Sequence, residues 1–237
     1  MEPYPYEMDG NHELKLNLVI DKLRQIDEPT KSVLILHTSA HNPTGVDPTK
    51  AQWREIKKVC YERGILPVFD CAYQVVILFL QHELPFSMFL FHKNYSMSFM
   101  LMFCHIYIQG FASGDLDVDA WSLRYFSSPD NFFDGEVSLN GTPADKTVLP
   151  GLEIFVSQSF GKNMGLYGER IGFLGGVVND KNVVPNIMTQ LSLIIRPMYS
   201  NPAGQGAKIV GKILADPALY NDWTAELKTN VKRLTVI

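Results

Sequence analysis

The run SVLILHTSAHNPTGVDPTKAQWREIKKVCYERGILPVFD, Ser32 to Asp70, decides the fold. Ser32 to His37 is a short continuous apolar run, the pattern of a strand buried on both faces. Asp47-Pro48 then reads as a helix start, with Asp47 as N-cap and Pro48 at the first helical position. Trp53, Ile56, Val59 and Cys60 recur at helical spacing and give that helix its inner face. Gly64 suits the left-handed residue that follows a helix. Ile65 to Phe69 is a second apolar strand, ending in Asp70. Strand, helix, strand is a βαβ unit, and it predicts an α/β fold built on a parallel sheet. Ligands of such sheets gather at the carboxyl ends of the strands. Two polar residues leave such ends here. Asn42 sits before Pro43, which holds it extended, and Gly45 frees the next turn, so a rigid loop can aim its amide into a crevice. Asp70 ends the second strand. Each also has an ordinary reading, as a strand-to-helix turn and as a turn cap.

A second stretch carries reactive chemistry: Ser157-Gln-Ser-Phe-Gly-Lys-Asn-Met-Gly-Leu-Tyr-Gly-Glu-Arg170. It follows the apolar segment Leu152, Ile154, Phe155, Val156, which reads as another buried strand. Lys162 there is partly desolvated and near a second cation, Arg170. Both conditions make an amine a better nucleophile toward a carbonyl. Ser159 and Arg170 supply a hydroxyl and a forked guanidinium, which suit a phosphate. An amine for an imine beside groups for a phosphate points to pyridoxal 5'-phosphate. Ser159-Phe-Gly-Lys162 also fits Ser-x-x-Lys, the signature of certain acyl-transfer enzymes. Those require Ser-Asp-Asn and Lys-Thr-Gly as well, and neither occurs.

Composition narrows the classes. The chain has 237 residues, 46% apolar and 19% charged, with a net charge of -4 and a pI near 5.9. It is globular, and lacks the basic footprint of a nucleic-acid binder. Cys60, Cys71 and Cys104 include no C-x-x-C pair and argue against a disulfide framework and a zinc site. His37, His41, His82, His92 and His105 show no metal-ligand spacing, so no metal is expected. The first ten residues have neither a basic nor an apolar leader region. The expected compartment is the cytoplasm, with the mitochondrion as the alternative.

Taken together, His41-Asn42-Pro43-Thr44-Gly45, Phe69-Asp70-x-Ala72-Tyr73-Gln74 and the Lys162 stretch resemble aspartate aminotransferase, of the class I, fold-type I group. Gly110 to Asp117, Asp119 to Phe126 and Ile195-Arg196-Pro-Met-Tyr-Ser-Asn201-Pro202 extend the resemblance. It covers about 30–74, 110–126 and 152–234. The resemblance implies the large domain of that fold, a mostly parallel sheet flanked by helices. It implies pyridoxal 5'-phosphate joined to Lys162, which would then shuttle the proton between substrate and cofactor. Asp70 would pair with the pyridine nitrogen. Tyr73 and Asn42 would hydrogen-bond the ring's phenolic oxygen. Ser159 and Arg170 would hold the phosphate, with Ser157 a weaker candidate. Arg196 would clamp the distal carboxylate of a dicarboxylic substrate across a homodimer, with Asn42 also near the substrate. The implied reaction moves the amino group of aspartate to 2-oxoglutarate.

The chain departs from that pattern. The upstream phosphate-binding turn and the terminal small domain are not visible in it. It therefore reads as a partial large domain over 1–237, truncated at both ends, and a catalytically inactive remnant that binds at most the cofactor or a partner subunit is the alternative. Residues 75–109 split a motif and hold two short apolar runs. Each is below the roughly 18–20 residues of a spanning helix, so a membrane hairpin is not expected. We read this insertion as translated non-coding sequence; a mature message containing it would exclude that origin. Residues 127–151 read as an inserted surface loop rich in Ser, Pro, Asp, Gly and Asn. Elsewhere, residues 1–12 are expected to be turn-rich and poorly anchored, and 13–26 to form an amphipathic helix. Ile171 to Val178 is expected as a strand whose glycines allow close backbone approach. Helices are expected at 183–195, 203–214 and 217–234, with Pro197 and Pro202 forcing an extended stretch around Arg196. In the last helix the Trp223, Leu227, Val231 stripe is expected to pack a core.

Overall fold

The computed structural model describes residues 2–10, 13–72, 74–80, 104–110, 119–127, 152–200 and 204–235. A four-stranded sheet organises them. Strands β1 (Val33–His37), β2 (Leu66–Cys71) and β5 (Ile154–Ser159) run parallel, and β6 (Gly172–Val177) closes the other edge antiparallel to β5, in the order β1-β2-β5-β6. The βαβ reading therefore holds. Its helix, α2 (Lys50–Arg63), crosses between β1 and β2 and packs against α1 (Leu16–Arg24). On β1, Leu34 and Leu36 are buried and Val33 and Ile35 are exposed, so this edge strand has one dry and one wet face.

The start of α2 differs from expectation. Thr49, not Asp47, is the N-cap. Its hydroxyl accepts from the Gln52 amide at 3.2 Å, and Gln52 Oε1 accepts from the Thr49 amide at 2.9 Å. This reciprocal capping box occupies the helix terminus and leaves Asp47 for other partners. The other end is as read. Gly64 takes φ +68°, and the Ile65 amide donates to Cys60 O at 3.0 Å, closing the helix.

The main core lies between the sheet and helices α1, α2 and α3 (Trp121–Ser127). Phe69 and Phe126 meet edge-to-face at 5.1 Å, with Trp53 at 6.1 and 5.8 Å from them. Each such ring, fully buried, contributes about 1.5–3 kcal/mol through removal of apolar surface from water. The surface ion pairs, such as Lys31 with Glu28, are exposed and contribute far less. Burial thus holds this layer. One cation joins it: Lys57 has no exposed surface, and its ammonium donates to Tyr125 O at 2.8 Å while lying 4.5 Å from the Tyr125 ring.

The N-terminal residues are tied down, contrary to expectation. The Tyr4 hydroxyl donates to Ile35 O at 3.1 Å, the Tyr6 hydroxyl to Val46 O at 2.7 Å, and Met8 bridges Leu14. Glu2 pairs with Lys22. Pro and Gly content reports local turns; it does not report that two tyrosines reach back to distant carbonyls.

Three helices follow β6: α4 (Val184–Tyr199), α5 (Gly204–Ala215) and α6 (Pro217–Thr235). The last two match the reading; α4 overruns it. Arg196 is helical, not extended, and Pro197 lies inside the final turn. A proline there forfeits the bond to Leu193 O, but Leu193 faces solvent and the helix ends at Ser200 anyway. Strands β3 (Gln74–Leu80) and β4 (Cys104–Gly110), which take up the two ends of the expected insertion and one flanking residue each, pair antiparallel as a separate sheet, with Gln74 opposite Gly110. Residues 81–103, 111–118 and 128–151 lie outside the described residues.

Candidate active site

Strand register brings the site to one edge. His37 on β1 stands opposite Asp70 on β2, and Asp70 stands opposite Ser157 on β5. The three residues mark the carboxyl ends of three parallel strands. Because β6 is antiparallel, its amino end lies at the same edge, with Gly172 opposite Ser159. A Cβ on Gly172 would come within 2.7 Å of Gln158 O, so only glycine fits the ladder there. Asn42, Asp70, Ser159, Lys162 and Arg170 all leave the sheet at this edge. Tyr73 lies outside the described residues. Arg196, exposed on α4, is joined to this group by no described contact.

The Lys162 loop is held from both sides. Phe160 is buried, and its amide donates to Ile171 O at 3.2 Å. Ser159 Oγ accepts from the Gly161 amide at 3.2 Å, and Ser159 O accepts from Asn163 Nδ2 at 3.2 Å. From α6, Trp223 Nε1 donates to Asn163 O at 2.9 Å. Phe160 and Val210 centre a small apolar cluster with Met164, Leu166, Ile171, Leu214 and Trp223. Lys162 is half-buried between these anchors. Trp223, expected only as core, is thus also a direct anchor for the residue next to Lys162. Arg170 takes φ +49° and is exposed. For a residue with a Cβ this left-handed conformation costs about 1–2 kcal/mol, and such strain clusters at functional sites.

The Asn42 loop is equally fixed. Asp47 accepts from the Ala40 amide at 2.7 Å and from the His41 amide at 2.9 Å. His37 Nδ1 accepts from the Asn42 amide at 3.1 Å, and His41 Nδ1 pairs with Thr44 Oγ1 at 2.8 Å. The His41 ring stacks on Tyr6, 3.7 Å between centroids and 12° between planes. Burial, and then the neighbouring His37, hold the His41 imidazole below its ordinary pKa, with Asp47 opposing. Below the strand ends, Cys71 Sγ lies 2.8 Å from Thr38 Oγ1, and burial pushes that thiol up to about 12. Asp47 and Tyr6 are contributors that the sequence reading missed. The Thr49-x-x-Gln52 box, already sufficient as a cap, was the signal that Asp47 serves something else.

A mostly parallel sheet with Lys162 beyond one strand, an acid on the neighbouring strand and a hydroxyl with an arginine at the same edge leads to the class of the fold, that of the aminotransferases. The chain belongs to the family described as aminotransferase class I and II, which residues 1–82 and 95–235 match. It is 40% identical to aspartate aminotransferase 1 of Medicago sativa over 206 residues, 87% of this chain and 36% of that protein. It is 34% identical to the cytoplasmic aspartate aminotransferase of Gallus gallus over 234 residues, 99% of this chain and 43% of that protein. Among solved structures it is similar to the Saccharomyces cerevisiae cytoplasmic aspartate aminotransferase, with TM-score 0.68, 31% identity, and 98% of this chain covering 44% of that one. The mitochondrial enzyme of Trypanosoma brucei gives TM-score 0.66 and 32% identity, over 96% of this chain and 45% of that one. The fold is therefore that of the aspartate aminotransferases. The chain spans under half the length of each of these relatives. No helix among the described residues is long and apolar enough to cross a membrane.

The donor set fits pyridoxal phosphate. Because Ser159 Oγ already accepts from the Gly161 amide, its own proton remains to donate, which is what an anion requires. The exposed Arg170 guanidinium adds charge at the same edge. Lys162 offers the amine and Asp70 the acid.

Proposed function

We propose that this chain carries the lysine site of a pyridoxal phosphate-dependent aminotransferase acting on aspartate and 2-oxoglutarate, giving oxaloacetate and glutamate. The observation that supports it most is the alignment of Asp70 with the β5 strand end, from which Ser159 and Lys162 follow. When bound, the cofactor supplies an electron-accepting ring that holds the electron pair left as the substrate Cα–H bond breaks. Lys162 Nζ holds the cofactor and later moves the proton taken from the substrate Cα. Asp70 holds the proton on the pyridine nitrogen. Ser159 and Arg170 bind the phosphate, with Ser157 beside them. Asn42 and Tyr73 donate to the phenolic oxygen, and Asn42 also borders the substrate. Arg196 binds the substrate's distal carboxylate from the neighbouring subunit of a homodimer, where its exposure on α4 suits a partner.

The test is to mix the purified chain with pyridoxal phosphate, reduce with borohydride and map the labelled peptide. Reduction fixes an imine as a stable amine. Labelling of Lys162 alone is the expected result. Indiscriminate labelling of surface lysines, or none, means that the motifs persist without a pocket, and the inactive-remnant reading replaces this one.

A further inference from the structure

Of the seven amides in the loop from Ala40 to Asp47, four donate within the loop and a fifth to His37. The Ala40 and His41 amides donate to the two oxygens of Asp47, the Asn42 amide to His37 Nδ1, the Gly45 amide to His41 O at 2.7 Å, and the Val46 amide to Thr44 Oγ1 at 3.2 Å. The Asn42 side chain makes no hydrogen bond among the described residues and is exposed. Ala40 takes φ +52°, a conformation that disfavours any residue with a Cβ. Something must hold the backbone there. Among the described contacts only the Asp47 carboxylate grips both sides of that residue, and bonds to a charged acceptor are about twice as strong as neutral ones. Asp47 is not needed as a helix cap, because Thr49 and Gln52 fill that role.

We propose that Asp47 is a positioning residue for the candidate site: it pins Ala40 and His41 so that the strand end turns out with the Asn42 carboxamide aimed at the cofactor. Tyr6 supports the same turn by stacking on His41 and bonding to Val46 O. The role of the turn rests on the reading of Asn42 as a cofactor contact; the pinning of the loop does not.

Asp47→Asn tests both parts. The carboxamide offers one acceptor oxygen and sets an NH2 group against the other amide. In the chain without cofactor, hydrogen exchange at the Ala40 and His41 amides is expected to rise on the order of tenfold or more, since two charge-assisted bonds are disturbed. Exchange in α2, at Val59 and Cys60, should stay unchanged. Thr49→Ala is the control: it loosens the start of α2 and leaves the Ala40 and His41 amides protected. Where Asp47→Asn does not fold, Asp47→Ser, smaller and still an acceptor, replaces it. With pyridoxal phosphate bound, the pH midpoint of the cofactor's visible absorbance should move in Asp47→Asn in the direction seen in Asn42→Ala. The double variant should move no further than Asn42→Ala alone. Unchanged exchange at residues 40 and 41, or equal acceleration in α2, overturns the pinning. Additive shifts in the double variant overturn the link to Asn42. A wild-type chain that takes no label on Lys162 refutes the functional reading separately, and the exchange result still decides the role of Asp47.

Discussion

Arg170 combines a strained backbone with an exposed side chain, and the two can be separated by substitution. Its φ of +49° lies in the left-handed region, which costs a residue with a Cβ about 1–2 kcal/mol. Glycine removes that cost but adds about 0.5–1 kcal/mol of chain entropy. Arg170→Gly is therefore expected to leave the cofactor-free chain as stable as before or about 1 kcal/mol more stable. For a domain of this size 1 kcal/mol corresponds to roughly 2–4 °C in Tm. Arg170→Ala keeps the strain and loses the same side chain, so it should match the parent. The difference between the glycine and alanine variants reads the backbone strain less the chain entropy of glycine. Cofactor binding should separate from stability. Losing a charge-assisted bond to phosphate removes about 1.5–3 kcal/mol, or roughly 10–150-fold in affinity, in both variants. Urea unfolding without cofactor and pyridoxal phosphate titration measure the two quantities. An Arg170→Gly chain destabilised by more than 1 kcal/mol would refute the strain argument, because the side chain would then be packing rather than projecting. Affinity unchanged in both variants would remove Arg170 from the phosphate site.

Two further outcomes follow from the core and from the insertion. Burial pushes the Cys60 and Cys71 thiols up to about 12 from an ordinary value near 9. The folded chain thus keeps protons that the unfolded chain releases, so their contribution is complete below about pH 9 and declines as pH rises toward 12. Iodoacetamide at pH 8 should modify neither residue until denaturant is added; modification of the folded chain would show that the layer beneath β2 opens readily. Deleting residues 75–109 to join Gln74 directly to Gly110 should raise soluble yield and preserve borohydride labelling of Lys162. Loss of the cooperative melt in that variant would show that the segment is part of the core.

The framework was readable because its signals are local. Apolar runs at β1, β2 and β5, the glycine after α2 and the turn residues around Asn42 each act within a few positions. Asp70, Ser159, Lys162 and Arg170 could be singled out as candidates because a strand's carboxyl end is predictable once the strand is. The misreadings share a cause. Asp47 was assigned to α2 because Asp-Pro is a common helix start, but the competing Thr49-x-x-Gln52 box lies closer to the first helical residue and took the terminus. Asp47 then found backbone amides earlier in sequence, outside any helix rule. Pro197 was read as a break, although a proline one turn from a helix end forfeits only a solvent-facing bond. The anchoring of Tyr4 and Tyr6 over 31 and 40 residues could not be read locally. Neither could the bond from Trp223 to Asn163, 60 residues away. Periodicity identified the face of α6 on which Trp223 lies, but not that its indole N–H would reach the Lys162 loop.

The pairing of β3 with β4 shows how β2 keeps its register beside the expected insertion. The chain leaves the main sheet just after Cys71, and the residues that flank the expected insertion become neighbours, with Gln74 opposite Gly110 and pairing continuing to Leu80 opposite Cys104. A ladder of seven residue pairs joins β3 to β4, and among the described residues neither strand takes a place in the ladders of β2. The partners of β2 are accordingly continuous on both sides, from Val33 with Leu66 to His37 with Asp70, and from Val68 with Phe155 to Cys71 with Gln158. An antiparallel pair suits this task because its two ends meet, whereas a parallel pair would return the chain at the far end and need a crossover. Asp70 is thus aligned with β5 by the pairing of β2 with its two neighbours in the main sheet.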